Sequence, residues 1–161
     1  FHLMGLHYLK DRAELNGSSQ VIFNKILKRQ ISSEQIEKSK YYDENIRKRI
    51  HYLSLLEKLF DSNETIFKYD PQIQAFSVID AEFLMKNKLN EDTIFIFLSK
   101  TNEASNYFCR SFFSDNKKDY SENQRRWTVL FKKKIWKKEC KEKILFAHPS
   151  YTNTGLTKVG Q

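Results

Sequence analysis

The stretch that decides the fold reads Thr93-Ile94-Phe95-Ile96-Phe97-Leu98, a run of branched and aromatic residues between polar segments at 86–92 and 100–106. Residues of this kind favour β-strands. Similar runs occur on both sides of it, and we predict strands over residues 65–69, 76–84, 93–98, 107–113, 128–138 and 143–147. From residue 65 onward the chain therefore predicts an antiparallel meander, in which the segment 76–84 also fits a helix.

The first sixty residues have helical spacing instead. After the Asn16-Gly17 break, Ser18 or Ser19 can cap a first helix, and residues 32–35 have the spacing of a capping box that opens a second, shorter one. A third and longer helix should begin near Asp43 and carry one apolar stripe, made of Ile46, Ile50, Leu53, Leu56, Leu59 and Phe60. We therefore predict an α+β fold with N-terminal helices packed on a C-terminal antiparallel β-sheet.

The length of the chain indicates the number of domains, and its cysteine content indicates the cellular compartment. A chain of 161 residues predicts one domain, with a helical part over about 1–62, a sheet over about 63–150 and a polar tail at 151–161. Cys109 and Cys140 fit reduced thiols rather than a metal site, and no apolar run is long enough to span a bilayer. These features predict a cytoplasmic protein without a membrane partner. Because the chain begins at Phe1, we expect residues upstream of it.

The positive charge is concentrated near the C-terminus. The chain has a formal net charge of +8, and twelve lysines and arginines accompany five acidic residues between Arg110 and Lys143. In a strand over 127–138, Lys132, Lys134 and Trp136 share one face. Such a face can follow a phosphate backbone while an aromatic ring stacks on an unpaired base, which indicates RNA as the partner. The alternative is an edge strand whose lysines prevent aggregation. The predicted nucleic-acid surface comprises Arg125, Arg126, Lys132, Lys134, Trp136 and Lys138.

Several polar residues could support cleavage of RNA, which without a metal needs a base, an acid and cations around the phosphate. His2 and His7 flank Gly5, and a polar cluster of His148, Ser150, Tyr151 and Thr152 follows the last predicted strand. A histidine among leucines is, however, more often a core or capping residue. The acidic residues Asp80, Glu82, Glu91 and Asp92 form no recognisable ligand set, so we expect neither a metal nor another cofactor.

Five segments carry a resemblance to a known family. They are FHLMGL (1–6), RIHYLSLLEKLF (49–60), FSVIDAEFLM (76–85), NYFCRSFF (106–113) and DYSENQRRWTVLFKKK (119–134). Together they resemble the phage-associated branch of the Barnase, EndoU, colicin and RelE-like (BECR) nucleases. The shared features are a His-Leu-x-Gly-Leu opening, an aromatic-Arg/Lys-Ser-aromatic strand and a later Asp-Tyr-x-x-x-Gln element.

The resemblance implies helices packed on an antiparallel sheet of about four strands, with a metal-independent ribonuclease site on the sheet face. By position, His2 would be the base or acid, Arg110 the phosphate clamp, and Ser111, Tyr120 and Gln124 positioning groups. It also implies a toxin or anti-phage effector that acts on cellular RNA and is held by an antitoxin or immunity protein. Two alternatives stay open: a non-catalytic RNA- or DNA-binding module, and a phage or immunity interaction protein with a basic face.

Overall fold

The N-terminal part of the chain is helical, as predicted. The computed structural model describes residues 3–62, 65–74, 77–101 and 106–151. Two short 3₁₀ turns, Leu6–Tyr8 and Ala13–Leu15, precede four helices: α1 (Ser19–Leu27), α2 (Ser33–Glu37), α3 (Glu44–Leu53) and α4 (Leu56–Asp61). The side chain of Ser18 caps α1, that of Asp43 caps α3, and Ser32 forms a reciprocal capping box with Gln35 at the start of α2. These caps confirm the three predicted helix starts.

The predicted long third helix is wrong, because the chain turns between α3 and α4. The hydroxyl of Ser54 donates to the carbonyl of His51 at 2.7 Å, and the N–H of Leu55 bonds to the carbonyl of Tyr52 at 3.0 Å, three residues back. This tight turn ends the regular helical ladder. The apolar stripe is thereby divided, so that Ile46 packs with the N-terminal helices while Leu59 packs on the sheet.

In the described part of the chain, seven strands follow the helices. Five of them form an antiparallel sheet in the order β4-β3-β2-β1-β5, and the last two form a separate hairpin. Their bounds are β1 Thr65–Lys68, β2 Phe83–Leu89, β3 Asp92–Lys100, β4 Tyr107–Ser114, β5 Arg125–Trp127, β6 Phe131–Trp136 and β7 Lys141–Ala147. The α+β prediction is confirmed.

Two strand predictions need correction. The prediction over 76–84 is wrong for most of its length, since β2 begins at Phe83 and runs through the polar residues that we expected to form a connection. Those residues find partners elsewhere: Asn87 accepts from the hydroxyl of Ser62 at 2.7 Å, and Lys86 pairs with Asp119 at 2.7 Å. The strand predicted over 128–138 is shorter than expected, because only residues 131–136 form β6, and the separate strand β5 precedes it in the main sheet.

The core lies on both faces of β3. Four consecutive residues of that strand, Ile94, Phe95, Ile96 and Phe97, are fully buried. Ile94 and Ile96 pack with Tyr52 and Leu59 under the helices. On the opposite face, Phe95 and Phe97 pack with Leu84, Tyr69 and Ala81, and Tyr120 adds a half-buried ring there. A third cluster joins the opening turns to α1, α2 and α3, and comprises Leu6, Leu9, Leu15, Ile22, Ile31, Ile36 and Ile46.

A polar junction ties α3 to the start of β3. One carboxylate oxygen of Asp92 accepts from the ammonium of Lys48 at 2.8 Å and from the amide of Asn116 at 3.0 Å, and its other oxygen accepts from the hydroxyl of Tyr52. These hydrogen bonds, that of Lys48 first, lower the pKa of Asp92. Burial, followed by the bond to Asp92, raises the pKa of Tyr52 to about 12.

We expect Asp92→Asn to lower the free energy of unfolding by about 2 kcal/mol, because Lys48 loses its charged partner. The folded-state pKa of Asp92 is depressed, so its contribution is complete above the unfolded pKa of about 4 and is lost as the pH falls through the folded value. Urea unfolding at a series of pH values should therefore show a shallower acid loss in the variant than in the wild type. Equal slopes below about pH 4 would contradict this role.

Candidate active site

An open groove runs beside the edge strand β4. Its volume is about 1710 Å³, and it is bordered by α3, by the opening segment and by the chain that follows β4. Its lining includes Leu3, His7, Lys48, Arg49, Arg110, Ser111, Phe113, Lys118 and Tyr120, together with the carboxylates of Asp43, Glu44, Asp80, Asp92 and Asp115. The structure therefore brings three of the residues predicted as catalytic, Arg110, Ser111 and Tyr120, to one concave surface.

Arg110 sits on an irregularity of the strand pairing. Phe97 is opposite Ser111, but its neighbour Leu98 is opposite Cys109, so that Arg110 is an extra residue in β4. Such a β-bulge bends a strand and redirects a side chain, and bulges are frequent beside active sites. The side chain of Arg110 is exposed and lines the groove. The bulge thus places a cation at the edge of the sheet next to Ser111.

One wall of the groove is aromatic. The ring of Phe113 lies 5.3 Å from that of Tyr120 and is stacked on Phe97 at 5.5 Å, measured between ring centroids. Burial, and then the charge of Asp115, raises the pKa of Tyr120. Its phenol is therefore protonated near neutral pH and can donate a hydrogen bond or a proton.

Arg49 of α3 is a groove residue that was not predicted from the sequence. Its guanidinium carbon lies 5.3 Å from the centroid of the Phe113 ring, a cation–π distance. Burial lowers its pKa, although a guanidinium stays charged at neutral pH. The sequence feature that could have indicated Arg49 is its spacing. It lies three residues after Ile46 and four before Leu53, which places it beside the apolar stripe rather than opposite it.

Gly5 shapes the contact between the opening segment and Arg49. It has φ +77°, in the left-handed region, and an added Cβ would meet the Cδ of Arg49 and the Cγ1 of Ile46 at 3.4 Å. A side chain at this position would combine backbone strain with tight packing. The glycine of the His-Leu-x-Gly-Leu opening thus lets the chain turn closely over α3.

The histidines differ in their position relative to the groove. His2 lies outside the described residues, and Leu3, which follows it, lines the groove. His7 also lines the groove, with its ring centroid 3.9 Å from that of Tyr8. His51 is an exposed residue of α3. In the predicted polar cluster after β7, His148 and the hydroxyl of Ser150 are 2.7 Å apart and neither lines the groove, while Thr152 lies outside the described residues.

Gln124 lies outside the groove and joins two loops. Its side-chain oxygen accepts from the N–H of Asp70 at 2.8 Å, and its amide donates to the carbonyl of Asp70 at 2.9 Å. A second hydrogen bond joins the same two loops, since the buried side chain of Gln74 donates to the carbonyl of Glu122 at 3.2 Å. Gln124 and Tyr120 lie in the same loop, between β4 and β5. The hydrogen bonds of Gln124 therefore hold the loop that supplies Tyr120 to the wall of the groove.

The predicted nucleic-acid surface is split by the structure. Lys134 forms ion pairs with Glu57 and Asp61, and Lys132 donates to the carbonyls of Phe60 and Ser62. Both lysines thereby dock β6 on the C-terminal end of α4, where cations are favoured. Trp136 adjoins Lys134.

The other three residues of that predicted surface lie outside β6. Arg125, Arg126 and Lys138 are exposed. Arg125 and Arg126 belong to β5, at the opposite sheet edge from β4. The groove and the basic strand β6 are therefore separate features of the molecule.

A family model described as phage-Barnase-EndoU-ColicinE5/D-RelE like nuclease4 (PBECR4) matches residues 1–147. That span includes all of the groove residues named above. The chain belongs to this family of nucleases. The family predicted from the sequence motifs is thus confirmed, and the substrate of this nuclease is a nucleic acid. No curated protein and no solved structure gave a significant match.

Within residues 3–62, 65–74, 77–101 and 106–151, no three His, Cys, Asp or Glu side chains come together in a way that could hold a metal ion. In the same ranges, no helix has the length and apolar character that crossing a membrane requires.

We expect Gln124→Leu to lower the free energy of unfolding by about 1–3 kcal/mol, because it leaves the N–H and the carbonyl of Asp70 without their side-chain partners. Chemical denaturation measures this loss. The matched control is Gln72→Leu in the loop that carries Asp70, where the exposed side chain should change stability by less than about 0.5 kcal/mol. A Gln124→Leu variant as stable as this control would show that the clamp is unimportant.

Proposed function

We propose that this nuclease is a metal-independent ribonuclease and that the groove along β4 is its active site. The observation that carries the proposal is the convergence of Arg49, Arg110, Ser111 and Tyr120 on one surface. Two guanidinium groups, a hydroxyl and a protonated phenol are suited to binding a phosphodiester and to moving protons around it.

The two arginines supply the positive charge. Among the described residues, neither Arg49 nor Arg110 forms a direct salt bridge with a carboxylate, whereas the neighbouring Lys48 is paired with Asp92. A guanidinium can donate two parallel hydrogen bonds to phosphate oxygens. Charge that develops on those oxygens in the transition state would be stabilised by these donors, which is the role that a divalent cation fills in metal-dependent nucleases.

The proposed reaction is a transfer of the phosphodiester to the 2′-oxygen of the same nucleotide. A base removes the proton of the 2′-OH, the 2′-oxygen forms a bond to phosphorus, the bond from phosphorus to the 5′-oxygen breaks, and an acid protonates that oxygen. The products are a 2′,3′-cyclic phosphate and a 5′-hydroxyl. We assign His2 as base or acid, with Tyr120 as a further proton donor and Ser111 as a positioning hydroxyl.

The biological role that fits this activity is that of a toxin or anti-phage effector acting on cellular RNA in the cytoplasm. It is supported by the motifs of the phage-associated branch and by the family match. An antitoxin or immunity protein that restrains the nuclease would be its protein partner, as the resemblance implies.

We expect Arg110→Ala to lower the rate of RNA cleavage by about 10²–10³-fold, because a donor to the transition-state phosphate is lost. The measurement is cleavage of tRNA and total RNA in EDTA, with identification of the product ends. Replacement of the 2′-OH by hydrogen at the cleaved position should abolish the reaction. Arg49→Ala should also slow cleavage.

Arg47 offers a matched control for both arginines. It lies two residues before Arg49 on α3, and its pair with Glu44 is exposed to solvent. Arg47→Ala should cleave at the wild-type rate. Cleavage that requires Mg²⁺, or equal cleavage of DNA, would contradict the proposal. Binding that falls steeply with salt, without any cleavage by the folded wild-type protein, would instead select the non-catalytic binding module.

A further inference from the structure

The helix-facing side of the sheet carries an exposed row of aromatic rings at the end away from the helices. We define the aromatic row as Tyr107 of β4, Phe83 of β2 and Trp127 of β5. Tyr107 is 41% exposed and Trp127 is 46% exposed, while Phe83 is half-buried between them. The pairing register puts all three on the face that holds Met85 and Ile96 beneath the helices.

The ring of Phe83 contacts both of the other rings. The centroid of the Phe83 ring lies 5.3 Å from that of Tyr107 and 5.4 Å from that of Trp127, and both pairs are edge-to-face. Contacts of this geometry hold aromatic side chains in fixed orientations. The aromatic row is therefore a continuous surface across the sheet rather than a set of isolated exposed residues.

Lysine and arginine residues lie next to the aromatic row. The ammonium of Lys68 lies 4.8 Å from the centroid of the Phe83 ring. Arg125 is opposite Lys68 on β5, and Lys100 is opposite Tyr107 on β3. Glu82 contributes the neighbouring carboxylate: it accepts from the hydroxyl of Tyr107 at 3.2 Å and from Lys68 at 3.4 Å. The surroundings of the row thus have a net positive charge.

We propose that the aromatic row binds single-stranded RNA, with bases stacked on Trp127 and Tyr107 and phosphates near Lys68 and Arg125. Exposed rings beside Lys and Arg are the combination that binds unpaired nucleotides. Cationic side chains around the rings suit a polyanion better than an apolar protein surface. The choice of RNA as the ligand rests on the proposed function.

The row and the groove share a strand. Tyr107 precedes Arg110 by three residues, which is about 10 Å along β4. An RNA strand cleaved in the groove can therefore extend over the row with nucleotides that flank the cleaved bond. In an A-form duplex the bases are already stacked and paired, so that a duplex cannot use the row. The surface accordingly confers a preference for unpaired substrate.

Binding can be measured without cleavage, so that failure of this inference and failure of the nuclease proposal are distinguishable. The protein is the full chain carrying Arg110→Ala, and the probe is a fluorescently labelled single-stranded RNA followed by anisotropy. We expect Trp127→Ala and Tyr107→Ala each to raise the dissociation constant about tenfold, and Trp127→Phe to raise it less, because a stacked base is lost or only partly replaced. The matched control is Phe23→Ala on α1, an equally exposed aromatic that lies outside the groove, with an unchanged dissociation constant.

A second measurement does not depend on the folding of the alanine variants. In the Trp136→Phe background Trp127 is the remaining tryptophan, and single-stranded RNA should quench its fluorescence while a duplex of the same sequence should not. Equal affinity of the Trp127, Tyr107 and Phe23 variants, or unquenched Trp127 fluorescence at saturating RNA, would overturn the inference. So would tighter binding of the duplex. RNA binding through the row without cleavage by the wild-type protein would leave the inference standing and refute the nuclease proposal.

Discussion

The complete burial of β3 is the constraint on which the rest of the structure depends. Because Ile94, Phe95, Ile96 and Phe97 are all removed from water, the sheet needs a cover on each face. Helices α3 and α4 provide one, and the segments before β2 and after β4 provide the other. The strand β4 then lies at the edge where the two covers meet. The groove occupies that boundary, so its position is a consequence of how the core is closed.

Hydrogen bonds and ion pairs within the fold decide which cations remain available to a ligand. Lys48, Lys132 and Lys134 make hydrogen bonds that hold elements of the fold together. Arg49 and Arg110 have different surroundings, since the first lies over an aromatic ring and the second projects from a bulge. Part of the positive charge of the chain thus stabilises the fold. Net charge alone overstates the surface that can bind a phosphate backbone.

The parts of the fold that the sequence predicted correctly depend on local interactions. Ser18, Ser32 and Asp43 each cap a helix by accepting from the backbone N–H three positions further on, and this spacing is visible in the sequence. The strand β2 could not be predicted in this way, because Lys86 and Asn87 are accommodated by Asp119 and Ser62, which are distant in the chain. For the site, motif similarity indicated Arg110, Ser111 and Tyr120. Their convergence, and the addition of Arg49, required the tertiary structure.

The bulge at Arg110 has a consequence for the whole of β4. In a regular strand, residues that face the same side differ by an even number of positions. The extra residue changes that parity, so that Tyr107 and Phe112, five positions apart, lie on one face. Phe112 can thus be buried in the core while Tyr107 joins the aromatic row. In an uninterrupted strand Tyr107 and Phe112 would face opposite sides of the sheet. The one additional residue lets a single strand contribute a side chain to the core and another to an exposed surface on the same face.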